Sequence, residues 1–300
     1  MRSAAIIRFV TWAIIAVFLI FILISSVVTD GFPGFFSFDI YDILDVARDT
    51  PKTIFEGSAG SINIDFADAK LNIKEGSELK VTEYTDGKNS HVKAAKNGDT
   101  LMVSSDKRVS RFLSFGWFSQ HVSVDITVPK DQLQDLKARI ASGDVIISNV
   151  ESKSAVIDTT SASIKVNNIN SGDLKIDTTS GDVSGSGIKA DSAYYHTVSG
   201  DINIKGDMKE IKADGVSSDF DILSSSMPQK TDLSDISGDV KLYLPENDGF
   251  DLRYSTVSGD FDSDFALTRT GGDKKGNCVY KNGGSVITVK TTSGDININK

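Results

Sequence analysis

The sequence predicts an all-β protein: a parallel β-solenoid of about 19 residues per coil, preceded by one N-terminal transmembrane helix. Three observations carry this expectation. First, the tripeptide Ser-Gly-Asp begins at Ser142, Ser171, Ser180, Ser199, Ser237, Ser258 and Ser293, with degenerate copies at Ser161-Ala162-Ser163 and Ser217-Ser218-Asp219. Along the series 142, 161, 180, 199, 217, 237 and 258 the steps are 19, 19, 19, 18, 20 and 21 residues, a self-similarity that marks stacked coils. Second, the residues behind each triplet alternate. The position after the third residue reads Val145, Ile164, Val183, Ile202, Phe220, Val240, Phe261, Ile296; two further on it reads Ile147, Val166, Gly185, Ile204, Ile222, Leu242, Ser263, Ile298; the position between is mostly polar. Period-two alternation with β-branched residues inward is the pattern of a strand with one buried face. Third, Phe9 to Val28 is a run of 20 residues without a charge.

That run is long enough to cross a bilayer core of about 30 Å as a helix. Ser25-Ser26-Val27-Val28-Thr29 is a weak cleavage match, so the segment reads as an uncleaved anchor. Arg2 and Arg8 lie before it and Asp30, Asp39, Asp42 and Asp45 after it. The positive-inside rule then makes residues 1–8 a cytoplasmic tail, 9–28 the anchor, and everything beyond extracellular. Residues 29–56 are expected to form a juxtamembrane linker. Phe32, Phe35, Phe36, Phe38 and Tyr41 either seek the headgroup region or belong to a linker or short helix (40–48) packed on the domain.

Residues 57–130 read as strands of less regular spacing (61–66, 71–73, 79–84, 91–95, 100–104 and 122–128) that begin and cap the solenoid. Asp86-Gly87 and Asn97-Gly98-Asp99 are hairpin turns. Within this block the segment 107–118 combines three cations, Lys107, Arg108 and Arg111, with four aromatics, Phe112, Phe115, Trp117 and Phe118. This loop either folds its aromatics over the open end of the solenoid or touches membrane, wall or partner, and it is the best candidate contact site.

The repeat proper fills residues 131–300. Each coil holds a second strand: Ala155 and Ile157 recur as Leu174 and Ile176, as Ala193 and Tyr195, and as Phe250 and Leu252. About eight coils at strand spacing would stack over roughly 35–40 Å. The corner residues are Gly143, Asp144, Gly181, Asp182, Gly200, Asp201, Gly238, Asp239, Gly259, Asp260, Gly294 and Asp295. Gly tolerates φ > 0 and Ser and Asp bond nearby backbone, so the triplet reads as a turn that stacks on itself. A column of carboxylates at rung spacing requires either bound cations or a hydrogen-bonded geometry. The nonapeptide of calcium-binding β-rolls is missing, so no metal or cofactor is expected. The interval from 258 to 293 holds an extra hairpin between Asp264 and Ser285. The last strand, 295–299, is expected to leave an uncovered solenoid end through which a partner or second copy docks.

The chemical inventory is thin. His91, His121 and His196 lie in no metal-ligand spacing, and there is no G-x-S-x-G, P-loop or strand-associated G-x-G-x-x-G. Cys278, the one cysteine, cannot form an internal disulfide and reads as a strand residue without a basic partner. A net charge of -9 argues against nucleic acid and against anionic lipid as main partners. Cysteine poverty in an exported domain suits a Gram-positive envelope.

Residues 55–300 resemble the putative-adhesin family of bacterial β-strand-repeat domains of unknown function. The carrying residues are the Ser-Gly-Asp-hydrophobic-x-hydrophobic units, above all Thr178 to Val183 and Thr291 to Ile296, with Val128-Pro129-Lys130 ahead of the first. An anchor followed by this domain is similar to the LiaG-type membrane proteins linked to envelope stress. The resemblance implies a fold and no catalytic residues. The expected function is a non-catalytic scaffold or adhesin-like binding module of the cell envelope, contacting wall polymer or a membrane protein. The alternatives are a regulatory accessory of an envelope-stress system and a polysaccharide-acting β-helix enzyme.

Overall fold

In the computed structural model, which describes residues 50–85, 90–105 and 122–300, every regular element is a β-strand. The expected tail and anchor, and the linker as far as residue 49, lie outside the described residues. Among the described residues no helix is long and apolar enough to cross a membrane.

The regular part of the repeat is built as the alternation requires. The chain runs through β7 (Asp135–Ser180), β8 (Val183–Ser199), β9 (Ile202–Asp214), β10 (Phe220–Ser224), β11 (Lys230–Ser234) and β12 (Val240–Tyr243). Neighbouring rungs pair in parallel. Ile164 stands beside Val183, Val183 beside Ile202, Ile202 beside Phe220, and Phe220 beside Val240. The strands after the corner thus form one β-face and the second strands another. The inward sides of the two faces make the core. Val145, Ile164, Val183, Ile202, Phe220, Val240 and Ile296 are each at most 1% exposed. Burial of such side chains supplies roughly 1.5–3 kcal/mol apiece before chain entropy is counted. The step of 18 between the triplets at 199 and 217 has a local cause. The register slips between Ser186 and Ile188, where Gly187 adopts φ 66° as a bulge.

The second-strand columns follow a register that differs in part from the expected one. Leu174 lies beside Ala193 and Ile176 beside Tyr195, as expected. Farther along, Ala193 leads through Ile211, Thr231 and Ile287 to Leu252, so Phe250 belongs one inward position earlier than expected. A shift of two residues keeps every side chain on its face, so the apolar pattern cannot tell the two registers apart.

Both ends depart from chain order. Toward the N-terminus, β2 (Ser61–Glu75) makes a whole coil and pairs with β7 on one side. On its other side it carries β5 (Thr100–Ser105) and β6 (Val122–Val128), which come later in the chain. Three antiparallel strands then close this end: β4 (Val92–Asn97) on β5, β3 (Leu79–Thr85) on β6, and β1 (Thr50–Gly57) on β3. The Asn97-Gly98-Asp99 turn joins β4 to β5 with Gly98 at φ 60°. Residues 50–56, expected in the linker, instead lie in β1.

Toward the C-terminus the order inverts. After β13 (Gly249–Ser255) and β14 (Phe261–Ser263), the hairpin β15 (Thr268–Gly271) and β16 (Lys275–Lys281) lays β16 antiparallel against β13. The final strands then enter the stack from behind. β17 (Ser285–Lys290) pairs with β11 and with β13, and β18 (Ile296–Asn299) with β12 and with β14. The expectation of an uncovered last strand is therefore corrected: β18 is bonded on both sides. Its inward residues explain the placement, since Ile287, Val289, Ile296 and Ile298 are all fully buried. At the outer rung Phe261 is only half-buried and Ser263 replaces an aliphatic residue. The more apolar coil takes the inner position.

Candidate functional site

The corner triplets meet along one edge. Where the chain turns at Gly181 and Gly200, φ is 144° and 126°, a region that side-chain-bearing residues avoid. Close approach is the second demand. A Cβ at Gly294 would collide with the carbonyl oxygen of Gly238 on the neighbouring rung, and one at Gly143 with that of Ala69. Corner backbones pack directly on one another, and only glycine leaves room.

The aspartates form a hydrogen-bonded ladder. The N–H of Asp201 donates to Oδ1 of Asp182 (3.0 Å), that of Asp219 to Asp201 (3.2 Å), and that of Asp239 to Asp219 (2.8 Å). The inserted coil continues it: Asp295 N–H donates to Asp239, and Asp260 N–H to Asp295, each at 2.8 Å. Each carboxylate thus accepts a charge-assisted bond from the next rung. This is the hydrogen-bonded answer to carboxylates at strand spacing. At the far end Lys274 of the hairpin caps the last member, donating to Asp260 Oδ1 at 2.7 Å and to the Gly259 carbonyl. The Lys274 ammonium holds the Asp260 carboxyl below the usual carboxylate range. Asp144 stands outside the run, because the next rung carries Ser163 in place of aspartate.

Two columns flank the ladder. Just before each triplet, Val198, Val216, Ile236 and Val257 are exposed, with Thr292 between the last two, and backbone bonds tie each to the next rung. One residue earlier runs a buried column that includes Thr178, Thr197, Asp235, Thr291 and Thr256. Asp235 accepts a bond from Ser218 Oγ (3.2 Å), and its Oδ2 has no partner. Burial pushes its carboxyl up.

The opposite corner carries a ladder that reading the repeat missed. Asn149 (φ 56°) and Asn168 (φ 52°) are left-handed, as is Gly187, and Asn168 Nδ2 donates to Asn149 Oδ1 at 3.0 Å. The signal was present: Asn, Asn and Gly recur 19 residues apart, and these are the residue types that tolerate that backbone region.

On the outward surface Tyr194 lies between Lys175 and Lys212, whose ammonium groups are 5.6 Å and 5.0 Å from its ring centre. His196 stacks beside Tyr194 at 6.5 Å and stands in register between Asp177 and Asp214, as a surface residue of a second strand. Near the C-terminus Glu246 accepts from Tyr280 Oη (2.5 Å) and Lys281 Nζ (2.7 Å) and pairs with Lys300 (3.3 Å). These cations and the phenol lower its carboxyl to about 2. Cys278 is buried opposite Leu252, and burial pushes its thiol up. Among the described residues no group of three or more His, Cys, Asp or Glu is placed to hold a metal ion. The loop candidates Lys107, Arg108, Arg111, Phe112, Phe115, Trp117 and Phe118 lie outside the described residues.

The architecture has solved counterparts. The chain is similar to a putative adhesin from Parabacteroides distasonis ATCC 8503, at 13% identity over 83% of this chain and 97% of that one, with a TM-score of 0.51. It is also similar to a putative lipid binding protein from the same strain (11% identity, 85% and 98% covered, TM-score 0.48). A putative adhesin from Bacteroides fragilis NCTC 9343 gives 15% identity, 85% and 98% coverage, and a TM-score of 0.47. At these identities the likeness concerns the fold alone. No curated protein matches the chain. The Toastrack DUF4097 family model matches residues 60–299, a span that runs from β2 through β18 and takes in the glycine corners and the inserted final coil, and the chain belongs to that family.

Proposed function

We propose that this protein is a non-catalytic, membrane-anchored binding module of the cell envelope, with residues 1–8 cytoplasmic, 9–28 spanning the membrane and the solenoid outside. The observation that carries the reading is the ladder. Corner backbones in van der Waals contact and carboxylates bonded rung to rung hold the outward columns of Asp, Lys, Asn, Ser and Thr at one fixed spacing. A rigid surface that repeats at about 4.8 Å suits an extended partner, such as wall polymer or the exposed edge of a neighbouring membrane protein. The adhesin description of the solved neighbours agrees with this role. The uncharged run Phe9 to Val28 and the Arg2/Arg8 to Asp30/Asp39 asymmetry support the anchor and its orientation.

The test is site-specific photo-crosslinking in intact cells, from Phe112 and Trp117 in the 107–118 loop and from Lys212 on the solenoid. Adducts with wall polymer or an envelope protein are the expected result. A chain that fractionates to the cytoplasm, or forms no adduct from any position, overturns the reading. Recovery of a membrane kinase as the dominant adduct would instead favour a regulatory accessory. Glycan breakdown by the purified full chain would favour an enzyme.

A further inference from the structure

A basin of about 490 Å³ opens on the outward surface where β11, β17, β13 and β16 lie side by side. That volume is within the range of small-ligand sites. Three cations line it: Arg253, Lys275 and Lys290. The pairing places them closely. Lys275 and Lys290 stand in register on either side of Ser255, and Arg253 lies two residues along the same strand. Strand spacing of about 4.8 Å and a rise of about 3.4 Å per residue put all three backbones within roughly 10 Å of one another. Side chains of this length can converge on one point.

Their lack of partners separates them from the cations nearest to them on the same strands and hairpin. In this acidic chain the neighbouring cations are neutralised: Lys274 by Asp260, Lys281 by Glu246, and Arg269 by Asp273. Among the described residues no carboxylate comes within ion-pair distance of Arg253, Lys275 or Lys290. Three like charges crowded without counter-charge repel one another, and an anion relieves that repulsion. Asp232 is the one carboxylate lining the basin, so three positive charges less one negative leave a formal +2. Thr288 and Asn277, which stand in register on either side of Arg253, add a hydroxyl and an amide as neutral donors.

We infer that this basin binds a phosphate group. A tetrahedral phosphate, carrying one to two negative charges near neutral pH, is attracted by the net positive charge. It offers the planar guanidinium a bidentate edge and leaves further oxygens for the two ammonium groups and the neutral donors. A single carboxylate offers fewer acceptor oxygens, and all of them in one plane. The inference rests on the binding-module reading and names a ligand class for it.

The experiment is calorimetric titration of the full chain in uncharged detergent with inorganic phosphate, linear polyphosphate and polygalacturonate. Phosphate or polyphosphate should bind, and 0.5 M salt should weaken binding at least about tenfold, as screening demands. The R253Q/K275Q/K290Q variant should lose binding at least about tenfold while melting at the wild-type temperature, since all three side chains are exposed. The single variant K290Q, losing part of the affinity, serves if the triple variant does not fold. Binding of inorganic phosphate alone assigns a free-phosphate site, and preference for polyphosphate assigns a polymer-borne one. The inference is overturned if neither phosphate probe binds, if polygalacturonate binds as tightly, or if the variants bind like the wild type. Those outcomes leave the cross-linking test of the binding-module reading untouched.

Discussion

At Gly294 the chain tolerates no side chain, and the reason is contact rather than backbone angle. A Cβ there would collide with the Gly238 carbonyl. Gly294→Ala should therefore cost about 3 kcal/mol or more, beyond the usual surface substitution, read as a fall in the urea midpoint. An unchanged midpoint would mean that the corners do not pack as described. Asp235 makes the opposite case. Its carboxyl is raised by burial, so the folded state binds its proton more readily than the unfolded chain does. The stability it contributes is present below its unfolded value of 3.8 and lost as pH rises through the folded value. Asp235→Asn keeps an acceptor for Ser218 and removes the desolvated charge. It should stabilise the fold at pH 7, with the gain vanishing below pH 3.8 in melting curves. The corner glycines and the apolar columns were legible because each repeats on its own every coil. Asp235 was not legible as a buried group, because burial is decided by the threonine column on other rungs.

Among elements, the inserted final coil separates two models of the chain. If β17 and β18 lay at the end of the stack, deleting 285–300 would remove one rung and leave the rest intact. In the structure they bond β11 and β12 on one side and β13 and β14 on the other. The deletion should open the ladder between those rungs, exposing residues from about 230 onward to limited proteolysis while 135–214 stays protected. Protection of 249–281 in the deleted chain would contradict the insertion. Chain order suggested the simpler arrangement, since the Ser293 triplet follows the Ser258 triplet and both fit the same template. What the pattern did not encode was neighbour choice. Any apolar strand of the right length can sit beside any other, and the fully buried Ile296 and Ile298 outcompete Phe261 and Ser263 for the inner place.

For the solenoid unit as a whole, acid should weaken the C-terminal cluster of paired carboxylates. Glu246 is lowered from 4.5 to about 2 by Lys281, Tyr280 and Lys300, and Asp260 is lowered by Lys274. For such groups the stabilisation is present above the unfolded value and is lost as pH falls through the folded one. Between pH 4.5 and about 2 the wild type should therefore lose more stability than Glu246→Gln, and the two melting curves should converge toward pH 2. Parallel curves throughout would show that the cluster does not couple to folding. The amino-acid sequence by itself determined the all-β solenoid class, its rung length and its buried columns, because alternation and turn chemistry act within one coil and need no knowledge of the others. Tertiary structure alone decided the order of the rungs, the closure of both ends, the carboxylate ladder and the unpaired cations around Arg253. Each depends on which strands become neighbours, and that choice is made by competition for burial between segments far apart in the chain.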